Sequence, residues 1–278
     1  MRSALPACDS QNPLQPFLRW AGGKRWFVYH HDDLLPRSFK RYIEPFLGGG
    51  AVFFSLCPRT AILSDSNRAL VETYLAIRED WRLVWGYLLR HQERHSKEYY
   101  YACRAEILQC QYAKAAQFIY LNRACWNGLY RVNLAGVFNV PIGTKDTIVF
   151  DTDDFAAISE ALRSIQLFSC DFEDTIDLAR KDDFIFVDPP YTINHNANGF
   201  LKYNERIFSW KDQERLRTAL ERSRSRGAKI LITNADHQSV RELYKGFGKI
   251  VAAPRYSKIA GDACFRKPST ELIVSVGC

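Results

Sequence analysis

The sequence lacks the features that mark membrane, secreted and zinc-binding proteins. No apolar run approaches the length of a membrane span, and no signal-peptide pattern is present. Its eight cysteines include no Cys-x-x-Cys pair and no Cys/His spacing typical of zinc sites. We therefore expect a cytoplasmic protein with reduced thiols, no membrane association and no metal.

Composition and charge are those of a globular protein with an excess of positive charge. The 278 residues are 47% hydrophobic and 25% charged, with a formal net charge of +7. This length accommodates one large domain or two modest ones. The charge favours a polyanionic partner such as nucleic acid, although many proteins of this charge bind none.

The most informative local pattern is Asp188-Pro189-Pro190-Tyr191, which follows the apolar run Phe184–Val187. The run predicts a buried parallel strand, and the prolines end it because neither can donate a ladder hydrogen bond. Asp188 would then lie at the carboxyl edge of a sheet, where open α/β folds bind ligands. Its carboxylate and the Pro189 carbonyl could hold both hydrogens of an amino group, and Tyr191 could stack on a base. An ordinary strand end with a Pro-Pro turn is the alternative.

A second ligand-binding pattern lies closer to the start of the chain. Tyr42–Glu44 predicts a strand, and a turn through Gly48 and Gly50 leads to a helix that begins at Ala51. The third glycine of the dinucleotide fingerprint is absent, which favours a ligand without a pyrophosphate. Asp65, at the end of the next strand, could bind two ribose hydroxyls or cap the following helix.

Between these two patterns, residues 68–124 show helical periodicity, with segments around Ile107 and Phe118, and no sheet-core run. Leu129–Leu134 and Val137–Val140 then predict a β-hairpin. Arg, Asn and aromatic residues are mixed in and before the hairpin, as in proteins that contact bases and phosphates. A solvated hairpin would have the same composition. After Asp188–Tyr191, the polar residues 192–206 could form a mobile lid.

Seven motifs, taken in order, resemble the alpha group of amino-methyltransferases, and within it the Dam-type (D12 class) DNA adenine N6-methyltransferases. They are Trp20-Ala21-Gly22-Gly23-Lys24, Glu44-Pro45-Phe46-Leu47-Gly48-Gly49-Gly50, Asp65-x-Asn67, Asn122-Arg123 through Asn127-Gly128-Leu129-x-Arg131, Gly136-x-Phe138-Asn139-Val140-Pro141-x-Gly143, Asp171-Phe172 and Asp188–Tyr191. The similarity spans most of residues 17–275.

The resemblance implies an α/β fold: a Rossmann-like methyltransferase sheet with one antiparallel strand, plus a helical target-recognition insertion with a β-hairpin. Residues 1–67 and 146–278 would form the S-adenosylmethionine-binding catalytic domain, and residues 68–145 the DNA target-recognition domain. The implied reaction moves a methyl group from S-adenosylmethionine to N6 of an adenine flipped out of duplex DNA, with S-adenosylhomocysteine as product. The implied partner is double-stranded DNA, and we expect a monomer.

The resemblance also implies three groups of site residues. The catalytic group is Asp188, Pro189, Pro190 and Tyr191. The cofactor-binding group is Trp20, Gly22, Lys24, Glu44, Phe46, Gly48, Gly50, Asp65, Asp171, Phe172 and Asp188. The DNA-binding group is Arg19, Arg123, Trp126, Asn127, Leu129, Arg131 and Asn139. Residues 192–208 and 258–267 depart from the Dam pattern, so GATC is only one candidate for the target sequence.

Several related activities stay open. Cytosine N4 enzymes favour Ser at the position of Asp188, and protein glutamine methyltransferases carry Asn there. Cytosine carbon-5 enzymes need a Pro-Cys nucleophile, which this chain lacks. Methylation of cytosine N4 or of RNA adenine, and DNA binding without turnover, are the remaining alternatives. The intact cofactor motifs argue against the last.

Overall fold

The computed structural model describes residues 13–133, 136–192, 208–256 and 268–278. The predicted lid and the basic segment 258–267 fall largely or wholly outside these residues. The strands are β1 (Tyr42–Glu44), β2 (Ala61–Ser64), β3 (Gln166–Phe168), β4 (Phe184–Val187), β5 (Lys229–Ala235), β6 (Lys249–Tyr256) and β7 (Pro268–Val276). The helices are α1 (Arg25–His30), α2 (Ala51–Leu56), α3 (Arg68–Arg94), α4 (Lys97–Ala105), α5 (Gln111–Ala124), α6 (Phe155–Leu162), α7 (Phe172–Asp177), α8 (Trp210–Ser225) and α9 (Gln238–Leu243), with short 3-10 turns at Asp32–Leu34 and Trp126–Gly128. None of these helices is both long and apolar enough to cross a membrane.

The strands form one sheet in the order β3-β2-β1-β4-β5-β7-β6. Neighbouring strands from β3 to β5 are parallel, whereas β7 runs antiparallel to both β5 and β6. The predicted Rossmann-like sheet with one antiparallel strand is therefore confirmed. The reversal of β7 brings its first half to the edge where the parallel strands end, and Glu271 pairs in register with Ala235 of β5.

Helices cover both faces of the sheet, which explains why β4 is apolar at every position. Phe184 and Phe186 pack in a core with residues of α1, α2, α3, α5 and α6. Ile185 and Val187 point the other way, into a core formed with α7, α8 and α9. Successive side chains of a strand alternate between faces, so a strand buried on both sides has no polar position.

The helical segment is joined to the sheet by a continuous core. Leu70, Tyr74 and Ile77 of the first half of α3 pack with Phe53 and Phe54 of α2. The helix is interrupted at Asp80, whose backbone leaves helical geometry and whose carboxylate accepts the amide hydrogen of Arg82 at 3.0 Å. Residues 68–79 thus share a core with the layer that covers the sheet, and the domain boundary at 67/68 stays a prediction.

Two local predictions differ from the observed structure. Ile107 lies in the connection between α4 and α5 and is 87% exposed, so the helical segment predicted around it is wrong. The hairpin consists of one isolated bridge between Val132 and Phe138, with further backbone hydrogen bonds from Asn139 to Arg131 and from Asn133 to Val137. It is shorter than the two predicted strands, and residues 134 and 135 lie outside the described part of the chain.

Candidate active site

Four carboxyl side chains gather at the edge where the parallel strands end. Glu44 closes β1, Asp65 follows β2, and Asp188 follows β4. Glu271 reaches the same edge because β7 is antiparallel. This is the edge where ligands bind in open α/β sheets, and its charge suits a positively charged ligand.

Asp188 is held in one orientation by two neighbours. The ammonium of Lys24 lies 2.8 Å from Oδ1 of Asp188, and the hydroxyl of Thr233 donates to the same oxygen at 2.8 Å. Among the described residues, Oδ2 receives no hydrogen bond, and the Asp188 side chain is 19% exposed. One carboxylate oxygen is therefore fixed, and the other can accept a hydrogen from a ligand.

The ammonium of Lys24 is directed at this carboxylate and not outwards. It donates to the carbonyl of Gly22 at 2.7 Å, and Glu271 Oε2 lies 3.6 Å away. The Lys24 side chain is only 3% exposed. In this structure, therefore, the Lys24 ammonium is paired with Asp188 and lies close to Glu271.

Tyr191 and Glu271 complete the cluster. The Tyr191 hydroxyl donates to Glu271 Oε2 at 2.7 Å, and the Lys24 ammonium lies 5.1 Å from the centroid of the Tyr191 ring. Neither Glu271 nor Thr233 was among the predicted site residues. In the sequence, Glu271 stands out only as a single carboxyl residue before the apolar run Leu272–Val274. The antiparallel direction of β7 is needed to place it at the same edge as Asp188.

Burial shifts the pKa values of Asp188, Asp65 and Glu44 upwards. It raises the pKa of Asp188 above the usual range, and Glu271 adds to the rise while Lys24 and Thr233 oppose it. Burial likewise raises the pKa of Asp65, against hydrogen bonds from Asn67 and Gly48. The pKa of Glu44 is raised well above its usual value by burial, and its carboxyl accepts the Tyr42 hydroxyl at 2.9 Å.

The glycine turn after β1 lies against Trp20. Gly48 has a φ of +47°, and a Cβ there would lie 2.8 Å from the Trp20 indole, so only glycine fits. Gly50, with a φ of +65°, precedes α2. Asp65 links the turn to β2, since its carboxylate accepts the amide hydrogens of Gly48 at 3.0 Å and Asn67 at 2.9 Å. The cap of α3 is Asn67 itself, which accepts from Leu70.

Aromatic rings line the neighbouring part of the same edge. Phe46 stacks on Phe172 with centroids 5.3 Å apart, and Phe208 packs against both rings. Asp171 caps α7 through the amide of Glu173 and forms an ion pair with Arg215 at 2.7 Å. The predicted pair Asp171 and Phe172 is thus close to Phe46, with Asp171 on the surface.

The predicted DNA-binding residues are mostly brought together beside the hairpin. Asn122 connects two of their segments: its side chain accepts the Arg19 amide at 2.9 Å and donates to the Gly128 carbonyl at 3.3 Å. A Cβ at Gly128 would lie 2.6 Å from Cβ of Arg19, so the Asn127-Gly128 turn requires glycine there. Asn122 was part of a sequence motif but was given no role.

Arg131 and its neighbours form an open groove. Its walls are Trp126, Leu129, Arg131, Val140 and Pro141. The Arg131 Nε donates to Oδ1 of Asn139 at 2.9 Å, which orients the guanidinium. No described residue accepts a hydrogen bond from its two terminal nitrogens, which can bind another acceptor. Trp126 is 53% exposed and Asn127 is also exposed.

Arg123 does not line this groove and is buried, which corrects the prediction that it binds DNA. Its side chain is fully buried, and its terminal nitrogens form two 2.6 Å contacts with the Asp153 carboxylate. It also donates to the carbonyls of Phe17 and Ile148. A guanidinium with these partners ties α5 to two connecting segments and is inaccessible to a phosphate or base.

Comparison with known proteins assigns the chain to a family. The model of the D12 class N6 adenine-specific DNA methyltransferases matches residues 20–257. The chain belongs to this family. It is 36% identical over 243 residues to the type II methyltransferase M1.LlaDCHI of Lactococcus lactis subsp. cremoris, with 84% of this chain and 86% of that protein covered.

Two further relatives of this D12-class chain have similar coverage. The type II methyltransferase M.MjaIII of Methanocaldococcus jannaschii is 35% identical over 273 residues, with 90% of this chain and 94% of that protein covered. The DNA adenine methylase of Haemophilus influenzae is 32% identical over 241 residues, with coverages of 84% and 83%. The resemblance inferred from the seven motifs is confirmed.

Proposed function

We propose that this D12-class protein transfers a methyl group from S-adenosylmethionine to N6 of an adenine that has been flipped out of duplex DNA. The observation that carries the proposal is the environment of Asp188. Lys24 and Thr233 fix its Oδ1, and in the described part of the chain Oδ2 is left for a donor at the carboxyl edge of the sheet. An exocyclic amine supplies the kind of donor that this oxygen can accept.

The residues at the sheet edge fit S-adenosylmethionine. When bound, this cofactor supplies a methyl group made electrophilic by the adjacent sulfonium. The gathered carboxyls suit its positive charge, and the Gly48–Gly50 turn allows a ligand to approach the backbone. Asp65 retains acceptor capacity for ribose hydroxyls because each carboxylate oxygen can accept more than one hydrogen bond. The rings of Phe46 and Phe172 offer an apolar surface for the cofactor adenine.

In this proposal Asp188 and Tyr191 act on the target base. The lone pair of an exocyclic amine is delocalised into the ring, so the amine is a poor nucleophile until acceptors draw it towards tetrahedral geometry. Asp188 would accept one amine hydrogen and the Pro189 carbonyl the other, while Tyr191 stacks on the base. Positive charge develops on the amine nitrogen as the methyl group is transferred. A fixed carboxylate then stabilises the transition state more than the ground state.

The groove beside the hairpin is the proposed DNA-reading surface. Arg131, oriented by Asn139, can offer two terminal nitrogens to a guanine edge, which is the commonest bidentate contact in the major groove. Arg19, Trp126, Asn127 and Leu129 are the other proposed DNA contacts. We propose GATC as the first target sequence to test, because the seven motifs resemble Dam-type enzymes.

Labelled methyl transfer tests the proposed function. The purified protein is incubated with S-adenosylmethionine carrying a labelled methyl group and with duplex DNA, single-stranded DNA or RNA. We expect incorporation into duplex DNA that is lost in Asp188→Ala. Preferential labelling of RNA would support the RNA alternative, and DNA binding without any incorporation would support a binding protein without turnover.

A further inference from the structure

Glu271 lies at the proposed site although no motif marks it in the sequence. It stands in β7, directly opposite Ala235 at the end of β5, so its side chain opens onto the same edge as Asp188. That side chain is only 4% exposed. A carboxyl group is seldom buried to this degree without paired or hydrogen-bonded partners, and here the partners belong to the site.

Its contacts join the two parts of the proposed catalytic apparatus. Oε2 of Glu271 accepts the Tyr191 hydroxyl at 2.7 Å, and the same oxygen lies 3.6 Å from the Lys24 ammonium. Lys24 in turn lies 2.8 Å from Asp188. Glu271 therefore contacts both the ring proposed to stack on the base and the cation that neutralises Asp188.

We propose that Glu271 is a positioning residue for methyl transfer: through the Tyr191 hydroxyl it fixes the ring that holds the base, and through Lys24 it sets the charge beside Asp188. The inference rests on the proposed function. In this proposal Glu271 does not touch substrate or cofactor and acts through Tyr191 and Lys24.

The positioning of Tyr191 follows from the geometry of the side chain. The hydroxyl lies at the far end of the ring from Cβ, so a hydrogen bond there restricts rotation of the whole ring. A bond to a charged acceptor is among the stronger hydrogen bonds in proteins. A ring held in this way needs no reorganisation when the base arrives, which favours the reactive geometry.

Glu271 also determines the formal charge of the cluster around Asp188. Asp188 and Glu271 with Lys24 give a formal charge of −1 when both carboxyls are ionised, which matches the positive charge that develops on the amine. With glutamine in place of Glu271, Asp188 would be the one carboxylate that pairs with Lys24 among the described residues. The pair would then be neutral and would stabilise a developing cation less.

The same groups determine the pH dependence. Among the described residues, those that face Asp188 are Lys24 from the segment before α1, Glu44 from β1, Thr233 from β5 and Glu271 from β7. Tyr191 follows it directly in the chain. Glu271 raises the pKa of Asp188, so removing the charge of Glu271 lowers that pKa. The acid limb of the pH–rate profile, where the rate falls as the pH is lowered, then moves to lower pH.

The test measures single-turnover methyl transfer to duplex DNA across pH for the parent, Glu271→Gln, Tyr191→Phe and the double variant. Glu160→Gln is the matched control, because Glu160 is exposed and, among the residues that the structure describes, its carboxylate pairs with Arg163 just after α6 and with no other residue. Thermal melting and S-adenosylmethionine affinity are measured for every variant. Glu271→Gln keeps the size of the side chain and an acceptor oxygen, and Tyr191→Phe removes only the hydroxyl.

We expect Glu271→Gln to lower the rate roughly tenfold to a hundredfold, because the variant loses the carboxylate charge beside Lys24 and leaves the Tyr191 hydroxyl bonded to a neutral acceptor. Its acid limb should move to lower pH, while cofactor affinity and melting stay as in the parent. Tyr191→Phe should slow methyl transfer without moving the acid limb of the pH–rate profile. The fold-loss in rate of the double variant should be smaller than the product of the fold-losses of the two single variants.

A parent-like rate and pH profile in Glu271→Gln would overturn the inference and leave the proposed function intact. Losses that multiply in the double variant would contradict action through Tyr191. If the parent itself transfers no methyl group to DNA, both the proposed function and this inference fail.

Discussion

Replacing Arg123 with alanine tests whether this arginine supports the fold or contacts DNA. Its guanidinium makes two 2.6 Å contacts with Asp153 and donates to the carbonyls of Phe17 and Ile148. The Asp153 side chain is 4% exposed, so the variant would leave a carboxylate buried without its cation. Breaking a buried pair in this way costs about 3–5 kcal/mol.

The expected result is a large fall in thermal stability. At about 2–4 °C per kcal/mol for domains of roughly 150–250 residues, the melting temperature of Arg123→Ala should fall by roughly 6–20 °C. Arg123→Lys should be intermediate, because it keeps the charge but loses the planar fork that reaches four acceptors. The matched control is Arg131→Ala, in the same segment but lining an open groove, and it should melt close to the parent.

Thermal melting followed by circular dichroism, combined with DNA-binding isotherms, gives the answer. We expect Arg123→Ala to lose stability and Arg131→Ala to lose DNA recognition. If Arg123→Ala has the melting temperature of the parent and binds DNA more weakly, the structural role of Arg123 is refuted. That result would support the DNA contact predicted from the sequence.

Four further outcomes are expected. Asp188→Ala should abolish detectable methyl transfer and leave DNA affinity largely intact, and Asp188→Asn should keep some activity. In the parent, the rate should fall as pH drops through the raised pKa of Asp188. A rate that stays constant on the acid side would argue against a carboxylate acceptor. Asp65→Ala should weaken cofactor binding by about 1.5–3 kcal/mol, whereas unchanged affinity in calorimetry would limit Asp65 to holding Gly48 and Asn67. Arg131→Ala should cost about 1–3 kcal/mol and relax preference at one base pair, and an equal loss on all sequences would indicate a phosphate contact. Cofactor affinity should be the same with and without EDTA, and a large loss on chelation would contradict binding without metal.

The sequence predicted the centre of the site because local rules dominate there. The two prolines must end β4, so Asp188 had to lie at the sheet edge. The glycine turn and Asp65 follow from the same strand-turn-helix pattern, and the structure brings them to that edge. These features need only short stretches of chain and the general rule that ligands bind at the carboxyl edge of parallel strands.

The features that the sequence could not predict depend on contacts between distant segments. Glu271 reaches Tyr191 across 80 positions, and only the antiparallel pairing of β7 with β5 brings them together. Arg123 and Arg131 lie in the same motif, yet one is buried in the helical core and the other lines the groove. Residue type and spacing do not distinguish Arg123 from Arg131. The difference comes from Asp153, which pairs with Arg123 and lies beyond the hairpin in the chain.

Identification of the methylated nucleoside tests the central claim most directly. Duplex DNA is treated with the parent protein and labelled S-adenosylmethionine, digested to nucleosides and separated by chromatography with mass detection. We expect the label to be recovered as N6-methyldeoxyadenosine. Label in N4-methyldeoxycytidine, or no label in DNA from an enzyme that is folded and binds the cofactor, would contradict it.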